Sequence, residues 1–361
     1  MITSKHLIVS DADTASVLTS LRSGELSGGG PLVREYEAAL ADWFGCSHAI
    51  ACSSGTAAIY IALAAIGVCQ GDEVIVPPTA PAMTALPVLA LGATVRFADI
   101  RPAGFGLDPA DVERTMTART KAVIEVPMWG YADNIEELRE LCSGSRIELL
   151  EDASQAHGSM AGRRLAGTGV AIGAFSTHAR KLLATGEGGF LLTDAAEHAR
   201  PAQRLRGLGQ SDGGGEAFGD QFGLNFKLPG ILAAMGLTQL ARLGQRVRDR
   251  NAVADRWLAA LGDLPDVEIV PRPRVHNCYG LAITVPARLR GRIDDALADC
   301  GVLTDTKAYS YRPLNEAPLF ATRQRCKNAL ALIDGLIVLP CHEGVTGSVI
   351  DKSVSAMAGC G

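Results

Sequence analysis

Between residues 33 and 193 the chain alternates segments of helical and of strand character, and no other feature restricts its fold so tightly. Val33, Tyr36, Leu40, Trp43 and Phe44 recur at helical spacing. Short apolar runs predict strands over 73–76, 94–100, 121–126, 147–151, 171–175 and 189–193. Helices are expected from residue 57 to about 67, from Asp108-Pro109 (a capping acid, then proline at the first helical position) and over 134–142. Such alternation closes into a mainly parallel sheet with helices on both faces. Residues 211–219 read as a glycine-rich loop, followed by long helices over 231–243 and 247–261. A smaller part is expected from about residue 263, with a strand over 280–285, a helix over 287–300 and a last helix after Gly347. The expected division is a large domain over 1–245 and a small one over 246–361.

Several segments within this frame carry chemistry. An apolar run ends in Ser176-Thr177-His178-Ala179-Arg180-Lys181, followed by a turn holding Gly186, Gly188 and Gly189. A lysine does covalent chemistry when its amine is partly desolvated beside a reacting carbon. Glycines just beyond it let backbone approach a bound group closely. A second strand, over 147–151, ends in acids at Glu151-Asp152, with Gln155 and His157 just beyond. In open α/β sheets, ligands bind outside the carboxyl ends of strands, so Asp152 can face one. A third strand runs into Ser53-Ser54-Gly55-Thr56 and a helix N-terminus, where free N–H groups and the helix dipole favour a phosphate. A phosphate turn, an acid at a strand end and a lysine before a glycine turn match the needs of pyridoxal phosphate. Its phosphate needs N–H donors, its pyridine nitrogen a carboxylate, and its aldehyde a lysine for a Schiff base.

In this order and spacing, the phosphate turn, Glu151-Asp152-x-x-Gln155-x-His157-Gly158 and Lys181-x-Leu183-x-x-Gly186-Glu187-Gly188-Gly189 carry a resemblance. The chain resembles the DegT/DnrJ/EryC1/StrS family of fold-type I pyridoxal-phosphate aminotransferases, from Ser23-Gly24-Glu25 to Gly344-Val345-Thr346. The resemblance implies a large domain with a mainly parallel sheet between helices and a smaller α/β domain. It implies that Lys181 bonds the cofactor and then moves the proton on the substrate, and that Asp152 pairs with the pyridine nitrogen. Gln155 would reach the ring's phenolic oxygen, and Gly55, Thr56 and Ser176 would hold the phosphate. His157 is open between contact and packing beneath the site. His178 falls where relatives hold a residue near the substrate. Asn225, in Phe222-Gly223-Leu224-Asn225-Phe226-Lys227, matches an asparagine that reaches the cofactor phosphate of the neighbouring subunit, implying a homodimer with shared active sites.

The same comparison marks departures. Pro81 stands where relatives commonly stack an aromatic side chain on the ring; either the alignment slips there or stacking is weaker. Lys227 replaces a common arginine, and Pro229-Gly230 replace an acidic or polar position. Some relatives carry histidine in place of the lysine and act as dehydratases; Lys181 favours amino transfer.

The implied reaction takes nitrogen from glutamate or glutamine and delivers it to a keto-sugar or ketocyclitol, for amino-sugar, glycan or antibiotic biosynthesis. Two alternatives stand beside it: non-transaminating pyridoxal-phosphate chemistry such as dehydration or a lyase reaction, and a carbohydrate- or nucleotide-binding regulator with no catalysis. Arg200, Arg204, Arg206, Lys227 and Arg312 could meet a nucleotide diphosphate or lie solvated.

A net charge of −5 gives no overall basic field for nucleic acid. The nine cysteines include no C-x-x-C pair, so neither a zinc site nor a disulfide framework is expected, and no metal ligand is assigned. Free thiols suit a reducing cytosol. Cys52, Cys341 and His342 read as buried and inert rather than reactive. No apolar stretch approaches the roughly 20 residues of a membrane span, and residues 1–13 lack the apolar core of a signal peptide. The longest apolar stretch, 57–69, reads as a buried helix, and Pro77, Pro78, Pro81 and Pro87 interrupt the next.

Overall fold

The computed structural model describes every residue except 103, 133, 134, 211–217, 263 and 323. Most of the loop expected over 211–219, residue 134 at the start of one predicted helix and residue 263 at the expected start of the smaller part therefore lie outside the described residues.

Among the described residues twelve strands run in chain order: β1 His48–Cys52, β2 Glu73–Val76, β3 Thr94–Phe97, β4 Thr120–Glu125, β5 Glu148–Asp152, β6 Met160–Ala161, β7 Arg164–Leu165, β8 Ile172–Ser176, β9 Gly189–Thr193, β10 Glu268–Ile269, β11 Gly280–Thr284 and β12 Leu336–Pro340. Seven form one sheet in the order β1-β9-β8-β5-β4-β2-β3. The ladders from β8 to β3 are parallel, and β9 runs antiparallel to both neighbours. The central strands β2, β4, β5, β8 and β9 are almost wholly buried, as expected when helices cover both faces, though β5 carries acids at Glu148, Glu151 and Asp152. The predicted mainly parallel sheet is present; β2 and β9 fall on the expected bounds and the other predicted strands shift by one to three residues.

Because β9 alone is reversed, the carboxyl ends of β1, β2, β4, β5 and β8 and the amino end of β9 meet at one edge. Cys52, Asp152, Ser176 and Gly189 all stand there; Gly189 pairs with both Cys52 and Ser176. Thus the three motif segments, far apart in sequence, reach the same rim.

The second sheet, β10-β11-β12, is antiparallel. Its period-2 alternation serves two cores. Ala282, Leu336 and Val338 join the core of the large sheet, while Leu281, Ile283, Ile337 and Leu339 join a second core with Trp257, Leu297 and Ile350. The 19-residue helix Leu243–Leu261 crosses from one core to the other and fastens its Trp257 indole to the Pro340 carbonyl at 3.0 Å.

Five helices among the described residues escape the sequence reading, two of them, Asp305–Ala308 and Lys327–Gly335, in the smaller part. Asp11–Ser23 is set by a Ser10/Asp13 capping box. Ala196–Arg206 begins after β9. Ala82–Ala90 contains Pro87, where an interrupted run was expected. An interior proline costs roughly 3 kcal/mol. Here burial of Thr84, Ala85, Pro87 and Val88 opposes that cost, and the helix ends three residues later. Among the described residues no helix is long and apolar enough to cross a membrane.

Candidate active site

A cavity of about 500 Å³ opens at the shared strand edge. Of the residues singled out from sequence, Gly55, Thr56, Pro81, Asp152, Gln155, Ser176, His178 and Lys181 line it; Asn225 and His157 do not.

Lys181 sits on an excursion between β8 and β9 that closes on itself. Thr185 N–H donates to the Thr177 carbonyl at 2.7 Å, Ala179 N–H to the Gly186 carbonyl at 2.9 Å, and Lys181 N–H to the His178 carbonyl at 2.8 Å. Leu182, Leu183 and Ala184 are buried, and Arg246 donates to the Leu182 carbonyl at 2.7 Å. A long side chain is thereby held by a short, anchored backbone. Its Nζ lies 5.3 Å from the centroid of the buried Tyr279 ring. Burial brings the amine down to about 8, against the Asp152 and Asp305 carboxylates, which favour its charged form.

Of the glycines after Lys181, Gly189 is required by the strands themselves. A Cβ on Gly189 would come within 2.6 Å of the Ser54 and Phe175 carbonyl oxygens, so only glycine lets β9 slot between its neighbours here.

Asp152 ends β5 with its carboxylate in the cavity. Thr84 Oγ1 donates to it at 2.6 Å and Ser154 N–H at 3.2 Å. At the end of β1, Ser54 caps the helix Gly55–Ala65 by accepting from Ala57 N–H at 3.1 Å. Among the described residues the Gly55 and Thr56 amides have no acceptor, and both residues line the cavity. A Cβ at Gly55 would sit 2.5 Å from Ser176 Cβ and 3.1 Å from its Cα, a close approach that brings the Ser176 hydroxyl to the helix N-terminus. Gly55→Ala is expected to destabilise the chain by roughly 1–3 kcal/mol, the usual cost of overpacking. Thermal unfolding of the cofactor-free chain beside wild type measures it.

His157 is fully buried, with Phe175 and Phe190 rings 5.2 and 6.1 Å away, and burial brings it down to about 3. It packs beneath the site as a neutral ring. His178 lines the mouth with Nε2 3.7 Å from Glu187. Pro81 caps the helix Ala82–Ala90 at the cavity wall. No aromatic side chain comes from that segment; those in the cavity are Trp129, Tyr279, Tyr309 and Tyr311. Asn225 is exposed and paired with Gly207, outside its own chain's cavity.

The second half of the chain supplies part of the site that the motifs do not announce. Asp305 is buried and accepts from the Trp129 indole at 3.0 Å and from the Ser4 hydroxyl at 2.5 Å. Trp129 N–H donates to Gln155 Oε1 at 2.8 Å, which leaves the Gln155 amide hydrogens for the cavity. Trp129 holds a positive φ of 51° before Gly130 at 95°. Tyr311 donates to the Thr79 carbonyl and Leu314 N–H to the Pro78 carbonyl, which ties segment 309–314 over the large sheet. A buried acid three residues after Val302 carries no local pattern; only Trp129 in an otherwise turn-like Pro127-Met128-Trp129-Gly130 hinted at a special backbone.

Of the basic residues weighed against a nucleotide diphosphate, Arg312 lines the cavity. Arg206 is buried and paired with Glu37 and the Ala51 carbonyl, and Arg204 donates to Gln221. Cys52 and Cys341 are fully buried, and burial pushes both thiols up, Cys52 to about 12. Elsewhere, His6, His342 and Glu343 bring possible ligand atoms within 4.8 Å of one another. The two rings stack 9° from parallel, and both His342 nitrogens are engaged, by Thr3 and Gly344, so the pair is not set to chelate.

Residues 8–358 match the model of the DegT/DnrJ/EryC1/StrS aminotransferase family. GDP-perosamine synthase of Caulobacter vibrioides is 32% identical over 94% of this chain and 93% of its own. L-glutamine:2-deoxy-scyllo-inosose aminotransferase of Micromonospora echinospora is 34% identical over 93% of this chain and 84% of its own. Among solved structures, the aminotransferase TlmJ of Streptoalloteichus hindustanus superposes with a TM-score of 0.91, at 27% identity, over 100% of this chain and 98% of that one.

Proposed function

The chain belongs to the DegT/DnrJ/EryC1/StrS aminotransferase family and uses pyridoxal phosphate, and from that premise we propose that it moves an amino group from glutamate or glutamine to a keto-sugar or ketocyclitol. One observation carries this reading: a depressed lysine amine, a carboxylate held by two donors and a helix N-terminus with free amides converge on one cavity. One matched relative is named an L-glutamine:2-deoxy-scyllo-inosose aminotransferase and another a synthase of an amino sugar nucleotide, which supports amino transfer over non-transaminating chemistry.

The residues fit the cofactor. Gly55 and Thr56 amides, with the Thr56 and Ser176 hydroxyls, would hold the phosphate. Asp152 would pair with the pyridine nitrogen and Gln155 with the phenolic oxygen. When bound, the group withdraws electrons from the carbon that carries the migrating nitrogen. The chain's own work is then positional and protonic. Thr84 and Ser154 keep the Asp152 carboxylate oriented. Lys181 would hold the cofactor through its aldehyde, and its amine, placed beside the reacting carbon of the substrate, would hold and move the proton there. The mechanism is a two-half cycle in which one cavity serves donor and acceptor in turn.

The amine must be neutral to attack. With its pKa lowered to about 8, the reactive fraction rises with pH and levels off above that value. The rate at which the apo chain captures pyridoxal phosphate is therefore expected to climb about tenfold per pH unit below that point. Stopped-flow absorbance from pH 6 to 10 checks it; a flat profile would contradict the assigned amine.

We further propose a homodimer with shared sites. Phe218 and Phe222, 72% and 65% exposed, precede Asn225 in the chain, and Met83, Leu86 and Leu89 are exposed on the helix beside Pro81. These apolar side chains suit a covering partner. Mixing the inactive Lys181→Ala chain with an Asn225→Ala chain should restore activity, since one site of the mixed dimer then holds both native residues. No regain after subunit exchange would assign Asn225 to its own chain. We take residues 1–245 as the large domain and 246–361 as the small one, on the two cores that meet across β11 and β12. The nine cysteines are unpaired, in keeping with a cytoplasmic enzyme.

The test of the reaction is the visible band of the pyridoxal-phosphate-loaded chain. Its loss on adding L-glutamate or L-glutamine, and its return with a keto-sugar or ketocyclitol, is the expected result. A band that no amino donor discharges would overturn amino transfer.

A further inference from the structure

Each carboxylate that lines the cavity already has a partner. Asp152 is held by Thr84 and Ser154, Asp305 by Trp129 and Ser4, and Glu187 stands beside His178. One half-buried cation beside the reacting amine does not. Arg180 precedes Lys181, lines the cavity and has no acidic side chain paired with it among the described residues. Its guanidinium lies 4.8 Å from the centroid of the Tyr309 ring. Stacking of this kind fixes the plane of the fork without using its N–H donors.

Resting on the reading of the reaction above, we propose that Arg180, braced on Tyr309, is the clamp for the α-carboxylate of the amino donor. The geometry asks for such a group at this place. A donor's α-carboxylate is bonded to the carbon whose proton Lys181 must remove, so its counter-cation has to lie next to Lys181. Arg180 is the neighbouring residue in the chain, and its charge is close enough to be felt by the Lys181 amine. A planar fork matches a carboxylate with two parallel hydrogen bonds, which also fixes the rotation of the donor about its Cα. Arg312, exposed at the rim on segment 309–312, is the cation better placed for an anionic group on a larger acceptor. Tyr309 serves as the brace: it is 51% exposed in the single chain, so its ring face is available for the stack without being buried in a core.

The test uses the pyridoxal-phosphate-loaded chain, wild type beside Arg180→Ala, Arg180→Lys and Tyr309→Ala. Binding of glutarate, an unreactive dicarboxylate, and of inorganic pyrophosphate is measured by calorimetry. The single-turnover dependence of the visible band on L-glutamate and L-glutamine is measured in parallel. Arg180→Ala should weaken glutarate and raise the half-saturating donor concentration roughly 10- to 100-fold, as expected for loss of a charge-assisted pair. Arg180→Lys should recover only part of this, and Tyr309→Ala should weaken both through the loosened fork. Pyrophosphate binding and the visible band before donor is added should be unchanged. Unaltered glutarate and donor dependence would overturn the clamp. So would loss of pyrophosphate binding in place of glutarate, which would assign Arg180 to a phosphate of the acceptor, and so would failure of Arg180→Ala to form the band, which would assign it to the cofactor. Failure of the wild type itself to form the band is a separate result, against the reaction and not against the arginine.

Discussion

Lys181→Ala is expected to remain folded yet show no visible band with pyridoxal phosphate, and to lose transamination by at least about 10⁴-fold, the upper range for a positioned acid–base group. Two tasks fall together because one amine performs both, covalent capture and proton transfer. No second lysine lines the cavity among the described residues. Arg180 and Arg312 carry guanidinium forks rather than a primary amine and do not form a Schiff base. His178 stands beside Glu187, and burial lowers its pKa, so it is a neutral ring at the mouth rather than a spare amine. Borohydride reduction followed by peptide mass measurement separates binding from bonding. The cofactor's mass should be retained on the peptide holding Lys181 in the wild type and on no peptide in the variant. Folding is expected to survive, because removing a partly desolvated amine relieves a burial cost while Leu182, Leu183 and the Arg246 hydrogen bond still anchor the loop. Residual transamination within tenfold of wild type would show that another group moves the proton.

For Asp152→Asn the expected result is different in kind: a visible band that forms but discharges slowly. Asparagine keeps the size, so Lys181 and the Gly55 and Thr56 amides still hold the cofactor. What goes is the fixed negative charge opposite the pyridine nitrogen, and with it the electron-withdrawing state of the ring. Removing one preorganised electrostatic contact of this sort costs on the order of 10²–10³-fold in rate. Thr84→Val offers a graded control. It leaves the carboxylate but removes its 2.6 Å donor, a hydrogen bond to a charged group worth about 1.5–3 kcal/mol, and should slow the same half-reaction roughly tenfold or more. The readout is the single-turnover decay of the band with L-glutamine. Unchanged decay in Asp152→Asn would separate this carboxylate from the chemistry.

The large sheet was legible because its evidence is local. Apolar runs of strand length, alternating with amphipathic or apolar helices, imply a buried parallel sheet whatever lies elsewhere in the chain. The lysine loop, the capped helix at Gly55 and the acid ending β5 were legible for the same reason, each lying within a dozen residues of its own structural signal. The helix over 82–90 was not, since proline at 87 opposes it locally and only burial against the sheet sustains it. Nor could the sequence show that β9 reverses and so carries Gly189 to the rim between Ser54 and Phe175.

What the sequence by itself determined is the chemistry: which side chains bond, protonate and cradle, since residue type and local backbone decide that. What only the tertiary structure decided is who surrounds them. Asp305 and Ser4 meet across 301 residues, Trp129 joins Asp305 to Gln155, and Tyr309 stacks on Arg180 from a segment far along the chain. Contacts of that range leave no periodicity along the chain, because their spacing is set by how two sheets pack, and packing is a property of the assembled solid rather than of any segment.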